Sequence, residues 1–320
     1  KETWISILVA SGIFVVVSLF LCILSFSDSS SLGALIDDID DRFGDSRFEW
    51  RQKAGKAPVP PEDVVILVVD EYSVNEMGRW PWSRKTQADM LQSIYDYNPR
   101  AVALDIVNSE STNTEDEEFL GKTIKKNSRK TVLGYFYRYN EPTEDNSDAF
   151  KYVKRSKINI IKTIEEPDQR YSQGYWNFKS AEVNIPVIGK SSRGHGFFNF
   201  KPDSDGIFRK AILLTKFDGA FYPSLSLEGL RKYIKGQVIL SLDKLGIEGL
   251  YVNDIEIPVT ESGRLLLNYY GVAGTITTYS VVDVINKKIP VEKLQDKLVF
   301  VGVTEIGLYD IRPSPLDGVF

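Results

Sequence analysis

A run of six apolar residues, Val64–Val69, constrains the fold of this chain more than any other feature. Five of the six are β-branched, and the run lies between Pro60-Pro61 and the acidic pair Asp70-Glu71. A short run that is apolar at every position and bounded by turn residues is typical of a strand in the centre of a parallel sheet. We therefore predict that Val64–Val69 is a strand buried on both faces.

The segments that follow alternate between helical and extended patterns. Ser83 is suited to cap a helix that extends to about Asn98. Two more short apolar runs, Ala101–Val107 and Thr131–Tyr137, are separated by a helical pattern over 116–130. Strand, helix, strand, helix, strand is the order of a parallel sheet with crossover helices. The sequence therefore predicts an α/β fold with a mostly parallel sheet.

The second half of the chain has a different residue pattern. Residues 140–192 are charged and weakly periodic, which predicts a long irregular excursion. Two hairpins are predicted after it, one pairing 197–200 with 207–214 and one pairing 250–258 with 264–270. Lys297–Val303 is again fully apolar and predicts a strand that returns to the first sheet. The parallel sheet is thus expected to carry an inserted antiparallel β portion.

The segment Trp4–Phe26 contains 23 residues without a charge. As a helix it spans about 35 Å, enough for a bilayer core of roughly 30 Å, so we predict an N-terminal transmembrane helix within residues 1–27. The alternative is a cleaved signal peptide, whose apolar stretch is usually shorter, about 7–15 residues. Because the first residue is Lys and not Met, we expect the chain to be part of a longer protein.

Residues 28–61 are predicted to form a juxtamembrane helix followed by a linker. One helical face is apolar and is made by Leu32, Leu35, Ile36, Ile39 and Phe43, while acidic residues fill the other face. This helix either packs against its own domain or transmits motion to the membrane span. The polar stretch over 47–61 contains Pro and Gly and predicts the linker.

Composition excludes several classes of function. The net charge is −5, so nucleic-acid binding is not expected. Cys22 is the only cysteine and His195 the only histidine, which leaves no internal disulfide and too few soft ligands for a zinc or haem site. We predict no cofactor, no metal site and no catalytic residues. His195 is expected in a hydrogen-bonded turn, and residues 203–206 in a turn rather than a calcium loop.

Ligand-binding candidates are concentrated after the first strand, because open parallel sheets bind ligands at the carboxyl ends of their strands. The candidates are Asp70, Glu71, Arg79, Trp80, Trp82, Arg84 and Asp105. The three acids are expected at the ends of neighbouring strands, where they face a cationic ligand or Mg²⁺ or Ca²⁺, or else cap helices and pair with the arginines. The arginines and tryptophans form a ligand pocket, or else stack on each other at about 0.5–2 kcal/mol per contact.

Several blocks of the sequence occur in an order typical of one family. They are Asp41-Arg42-Phe43, Val68–Glu71, Gly78–Arg84, Ala101–Ile106, Gly194–Asn199, Pro202–Arg209, Pro223–Leu227, Leu267–Gly271, Lys297–Gly302 and Gly307–Asp310 with Pro315 and Gly318-Val319. Gly78–Arg84 (GRWPWSR) is the most distinctive. In these blocks the chain resembles the type 2 CHASE domain, an extracytoplasmic sensory module of bacterial receptors. The resemblance covers most of residues 40–320.

The resemblance implies a location and a role. Residues 28–320 are expected outside the bacterial cytoplasmic (inner) membrane, in the periplasm, with 62–320 as the sensory domain for an unknown small-molecule or protein ligand. The output domain is expected after Phe320, as a class III adenylate cyclase or a histidine kinase. We also expect a homodimer, because one helix needs a reference to transmit motion and two-fold dimers are the commonest oligomers. The alternatives are a periplasmic scaffold or accessory subunit of a membrane complex, and a secreted enzyme released by signal cleavage.

Overall fold

A computed structural model of the chain describes residues 11–12, 14–22, 31–140, 147–166, 178–304 and 313–316, with the backbone alone at 31–38 and 147–148. The chain divides into two compact units, Lys1–Pro58 and Val59–Phe320.

In the first unit, residues 11–12 and 14–22 are helical. The remainder of the expected membrane span Trp4–Phe26 lies outside the described residues. Among the residues that are described, no helix combines the length and the apolar character needed to cross a membrane.

Helix α1 extends over Ser31–Lys53, ten residues beyond the predicted apolar face that ends at Phe43. The predicted linker is therefore wrong over residues 47–53. That stretch contains no Gly or Pro and is rich in Arg, Glu, Gln and Lys, which all favour a helix. Arg51 and Lys53 in the last turn also complement the helix dipole. The Gly and Pro residues that suggested a linker are confined to 54–61.

The second unit alternates helices and strands. Its helices are α2 (Glu71–Met77), α3 (Arg84–Asp96), α4 (Thr114–Lys126), α5 (Ser147–Val153), α6 (Pro186–Gly189), α7 (Leu225–Ile234) and α8 (Val281–Ile285), with 3-10 turns at Lys154–Ser156 and Val291–Lys293. Its strands are β1 (Val64–Val69), β2 (Ala101–Leu104), β3 (Thr131–Arg138), β4 (Ile160–Thr163), β5 (Ser180–Glu182), β6 (Gly194–Phe197), β7 (Lys210–Ile212), β8 (Leu214–Phe217), β9 (Ala220–Pro223), β10 (Val238–Asp243), β11 (Gly246–Val252), β12 (Ile255–Ile257), β13 (Arg264–Leu266), β14 (Thr278–Ser280) and β15 (Leu298–Val303).

The largest sheet has the order β14-β1-β15-β2-β3, and β3 also pairs with β5 and β6. Every pair in it is parallel except β3 with β5. The mostly parallel sheet and the return of the last strand are therefore confirmed. The expectation that β1 and β2 are neighbours is wrong, because β15 lies between them.

Alternate side chains of this sheet pack on opposite faces, as the period of two in a strand requires. On one face Val65, Leu67 and Val69 join the core formed with α3 and α4. On the other face Ala103 and Val132 pack against the start of α7. The predicted burial of β1 on both faces is wrong, since every second side chain of this strand is partly exposed. The apolar run Val64–Val69 therefore correctly indicated a strand inside the sheet. It did not indicate whether both faces of that strand are covered.

The remaining strands form the predicted antiparallel portion. It consists of the sheet β12-β11-β10-β4 and the ribbons β13-β7 and β8-β9, in which only β10 with β4 is parallel. Both predicted hairpins are wrong, because β7 pairs with β13 and β11 pairs with β10 and β12. The two-residue turns of this portion are Asp218-Gly219, Lys244-Leu245 and Asn253-Asp254, with Asn253 at a φ of 54°. Asn in this left-handed conformation is typical of tight hairpins.

The irregular excursion predicted over 140–192 is also corrected. It contains α5, β4, β5 and α6, and its two strands pair with different sheets. Strands of three or four residues are too short to show a period in the sequence. Three residues of β4 are exposed as well, so this strand has no buried side to reveal it.

Candidate functional site

Asp70 directly follows β1 and caps helix α2. Its Oδ1 accepts hydrogen bonds from the backbone N–H of Ser73 at 2.9 Å and from the hydroxyls of Ser73 and Ser280, each at 2.8 Å. Burial raises the pKa of Asp70, but these bonds stabilise the carboxylate and leave that pKa below its ordinary value. The carboxylate therefore connects β1, α2 and the end of β14.

The other two acids of the predicted cluster are exposed. Glu71 lies in the first turn of α2, and Asp105 follows β2. Because β15 separates β1 from β2, the ends of those strands are roughly 10 Å apart, twice the strand spacing. Within the described ranges, no group of three or more His, Cys, Asp or Glu side chains is placed to hold a metal ion.

The tryptophan loop is held by contacts within itself and with α3. Trp82 is buried, and its Nε1–H donates to the carbonyl oxygen of Gly78 at 2.7 Å. The Trp80 ring meets the Trp82 ring edge-on, with centroids 5.3 Å apart, across the cis peptide bond between Trp80 and Pro81. Gln87 donates its side-chain N–H to the Trp82 carbonyl at 2.9 Å. The loop conformation is therefore determined by hydrogen bonds and ring packing.

The two arginines at the ends of this loop differ. Arg84 is only 9% exposed, and its Nη2 donates to the carbonyl oxygen of Glu110 at 3.2 Å. Burial lowers the pKa of Arg84, and the negative charges of Glu117 and Glu110 oppose that effect. Arg79 is exposed and has no partner among the residues described. Neither arginine lies over an indole ring in the contacts of this loop, so stacking is not what holds it.

A buried polar network lies beside this loop and was not predicted from the sequence. Asn108 donates its side-chain N–H to Gln87 at 3.0 Å, and its backbone N–H donates to the side chain of Asn184 at 2.9 Å. Asn184 in turn donates to the carbonyl oxygen of Gly134 on β3 at 2.9 Å. The network connects α3, β3 and the chain before α6. No local pattern distinguishes three separate amide side chains from ordinary surface residues.

The structure thus gives structural contacts to Asp70, Trp82 and Arg84, leaves Glu71, Arg79 and Asp105 exposed, and half-buries Trp80. Ligand binding by these seven residues stays a prediction.

A cleft of about 500 Å³ lies on the partly exposed face of β1. Ile66 of β1 and Thr278 of β14 are register partners and form one wall. The other walls are mainly apolar and aromatic and include Phe200, Phe208, Leu267, Tyr269, Tyr270 and Val272. This volume and lining are typical of small-molecule sites, which measure about 300–1,000 Å³. Sequence reasoning missed this cleft because its walls come from distant segments of the chain.

His195 lies in strand β6, so its placement in a turn was wrong. It is 2% exposed, and its Nε2 is 3.1 Å from the carbonyl oxygen of Gly189. Because a carbonyl only accepts, Nε2 carries the proton and Nδ1 does not. Burial lowers the pKa of His195 to about 4, so the ring is neutral near pH 7.

The acidic segment at 203–206 is confirmed as a turn, since the N–H of Gly206 donates to the carbonyl of Asp203 at 3.0 Å. Arg209 pairs with Asp205 at 2.7 Å, and Arg264 pairs with Asp203 at 3.2 Å. The hydrogen bonds from Arg209 hold the pKa of Asp205 below its ordinary value. Both carboxylates are therefore neutralised by arginines.

A family model described as the CHASE2 domain matches residues 15–320, nearly the whole chain. The chain belongs to the CHASE2 domain family. This match confirms the resemblance carried by the sequence blocks. CHASE2 domains are extracytoplasmic sensory domains of signalling receptors. No curated protein matches the chain, and no solved structure matches it. In this CHASE2 domain, the cleft beside β1 and the exposed residues at the carboxyl ends of β1 and β2 are two surfaces that a ligand can reach.

Proposed function

We propose that this CHASE2 domain senses a small, mainly apolar ligand in the cleft beside β1, as the periplasmic region of a receptor in the bacterial inner membrane. The observation that carries the proposal is the cleft itself, about 500 Å³ in volume and lined by aromatic side chains. A sensory domain needs a site whose occupancy affects its central elements. Residues of β1 and β14 line this cleft. The hydroxyl of Ser280, at the end of β14, donates to Asp70, which caps α2.

A substitution that fills the cleft tests this proposal. Thr278 lines the cleft and is exposed, so Thr278→Trp occupies the space without opening the core. Thr277 precedes it, is also exposed and does not line the cleft, so Thr277→Trp is the matched control. The probe is 2-naphthol, and the measurement is the melting midpoint of the full chain in detergent.

We expect 2-naphthol to raise the melting midpoint of the wild type and of Thr277→Trp, because a ligand that binds only the folded state stabilises it. Thr278→Trp is expected to reduce this shift to near zero. An equal shift in all three proteins, or no shift in the wild type, contradicts binding in the cleft.

We further propose that the receptor is a homodimer joined along α1. The exposed fraction is 46% for Ile39 and 65% for both Phe43 and Trp50. Their spacing of four and seven residues gives one stripe, which the backbone positions of Leu32 and Ile36 extend toward the N-terminus. Apolar residues alternating at three and four positions form the seam of a coiled coil, where a second copy covers the same stripe.

The remaining proposals concern anchoring and output. We propose that Trp4–Phe26 is a retained membrane span and that the signal controls a class III adenylate cyclase or a histidine kinase. The support is the uncharged length of that segment and the family to which the domain belongs. Reading the gene beyond Phe320 tests the output directly. A downstream region without either enzyme favours a periplasmic scaffold or accessory subunit.

A further inference from the structure

A second pocket, separate in its lining residues from the cleft, has a strongly basic character. It has a volume of about 260 Å³ and lies between the chain around the 3-10 turn 154–156, the start of β10 and helix α7. Three cationic side chains line it, those of Arg155, Lys157 and Arg231. The one acid in its lining is Glu228, which is 1% exposed.

More positive charge lies beside this pocket. Burial lowers the pKa of Lys232, the negative charge of Glu228 opposes that effect, and the positive charges of Arg231 and Arg193 lower the pKa further. The lining of the pocket itself holds three basic residues and one carboxylate, in a chain whose net charge is −5. Cations gathered in this way repel one another, and an anion among them relieves the repulsion.

Arg231 is held in place for such an anion. The buried Glu228 accepts from its Nε at 2.7 Å and from its Nη2 at 2.6 Å. The Nη1 group has no acceptor among the described residues, so one edge of the guanidinium is fixed and another is open. A planar guanidinium fixed in this way is suited to carboxylate or phosphate oxygens.

Ser156 adds a hydroxyl donor to the lining of the pocket. Its side chain is buried, with the residue 8% exposed, and its Oγ accepts the backbone N–H of His195 at 2.7 Å. No acceptor for the hydroxyl proton of Ser156 is found in the described part of the chain. A buried hydroxyl without a protein acceptor is unusual, so this proton is available to an oxygen atom that enters the pocket.

We propose that this basic pocket is a binding site for a small soluble oxyanion, carrying phosphate or carboxylate oxygens. The oxyanion accepts from the open edge of Arg231 and from the Ser156 hydroxyl, and the exposed Arg155 and Lys157 neutralise its charge. Because the pocket lies where α7, which packs on the parallel sheet, meets β4 and β10 of the second sheet, the bound anion links the two sheets. The site goes beyond the apolar ligand proposed above and does not depend on it.

Isothermal titration calorimetry of the full chain in detergent tests this site, with inorganic phosphate and succinate as probes and chloride holding the ionic strength constant. The variant is Arg155→Gln with Lys157→Gln, because both side chains are exposed and neither contacts the buried Glu228. The control is Lys85→Gln with Lys244→Gln, which removes two exposed lysines outside the pocket and lowers the total charge equally.

We expect saturable binding of at least one probe to the wild type and to the control. The pocket variant is expected to bind about tenfold more weakly, a difference of about 1.4 kcal/mol. Binding of phosphate alone assigns a phosphate group, and binding of succinate alone assigns a carboxylate. The proposal is overturned if neither probe binds saturably by about 10 mM, or if the pocket variant and the control bind equally well. Thermal unfolding of each variant establishes that it is folded.

Discussion

His195 is the one histidine of the chain, and burial holds its pKa at about 4, below the ordinary 6.5. The unfolded chain therefore binds a proton between pH 6.5 and 4 that the folded chain does not bind. The stability due to the neutral ring is fully present above pH 6.5 and is lost as the pH falls toward 4. A shift of this size corresponds to about 3 kcal/mol.

We predict that this loss disappears in His195→Gln, which keeps a side-chain N–H for Gly189 and cannot be protonated. Urea unfolding of the wild type and of the variant at pH 7 and pH 4.5 measures the loss of stability. The wild type is expected to lose about 2–3 kcal/mol more than the variant between the two values. Carboxylates such as Asp70 titrate in both proteins and cancel in the comparison. The same pH dependence in both proteins contradicts a buried neutral His195.

Arg79 and Arg84 are a natural pair of test and control. Arg84→Ala removes a buried donor to the Glu110 carbonyl and the cation near the buried Glu117, so we expect a loss of about 1–3 kcal/mol in unfolding free energy. Arg79→Ala, at an exposed site without a partner in the described structure, is expected to change that free energy by less than about 0.5 kcal/mol. Equal effects of the two substitutions count against the structural role of Arg84. An effect of Arg79→Ala on ligand response alone supports its place in a binding site.

At the level of elements, α1 is the one long helix whose apolar stripe is exposed in the described structure. We predict that single cysteines at Ile39, Phe43 or Trp50, in a Cys22→Ser background, form disulfides between subunits in membranes. Such bonds need Cβ atoms about 3.5–4.5 Å apart, which a coiled-coil seam brings together. The control is Asp41→Cys on the opposite helix face. Cross-linking at Asp41 as strong as at the stripe, or none at any site, argues against the dimer along α1.

Strand β15 lies between β1 and β2, so its side chains pack in the middle of the sheet. Val301 is fully buried there, whereas Val291, in a 3-10 turn, is 52% exposed. We predict that Val301→Ala lowers the free energy of unfolding by about 2 kcal/mol, through lost burial and the cavity that remains. Val291→Ala is expected to cost less than about 0.5 kcal/mol. Urea unfolding compares the two, and similar losses contradict a central position for β15.

At the scale of the whole molecule, the property to test is the side of the membrane on which the domain lies. CHASE2 domains are extracytoplasmic, so we predict that a protease added to intact spheroplasts digests residues 28–320. A cytoplasmic marker protein in the same cells serves as the control and should stay intact. Digestion of this domain only after lysis contradicts the periplasmic location.

Local features of the structure followed from the sequence alone. The β-branched run Val64–Val69 is a strand, and Ser83 caps α3 by accepting the N–H of Thr86 at 3.1 Å. Ala88, Leu91 and Ile94, which the helical period places on one face of that helix, are buried. Each of these features depends on residues within a few positions of one another, where propensity and periodicity act. The family blocks are local as well, so they could be recognised without the fold.

The tertiary structure alone decided which segments meet. The pairing of β7 with β13, the place of β15 between β1 and β2, and the division of β4 and β5 between two sheets all join residues far apart in sequence. The cleft and the basic pocket depend on the same long-range contacts. A single sequence carries little information about such pairs, because several strands of similar composition can exchange partners without changing any local pattern. Packing of complete side-chain sets selects one arrangement among them, and it does so only when the whole sheet is assembled.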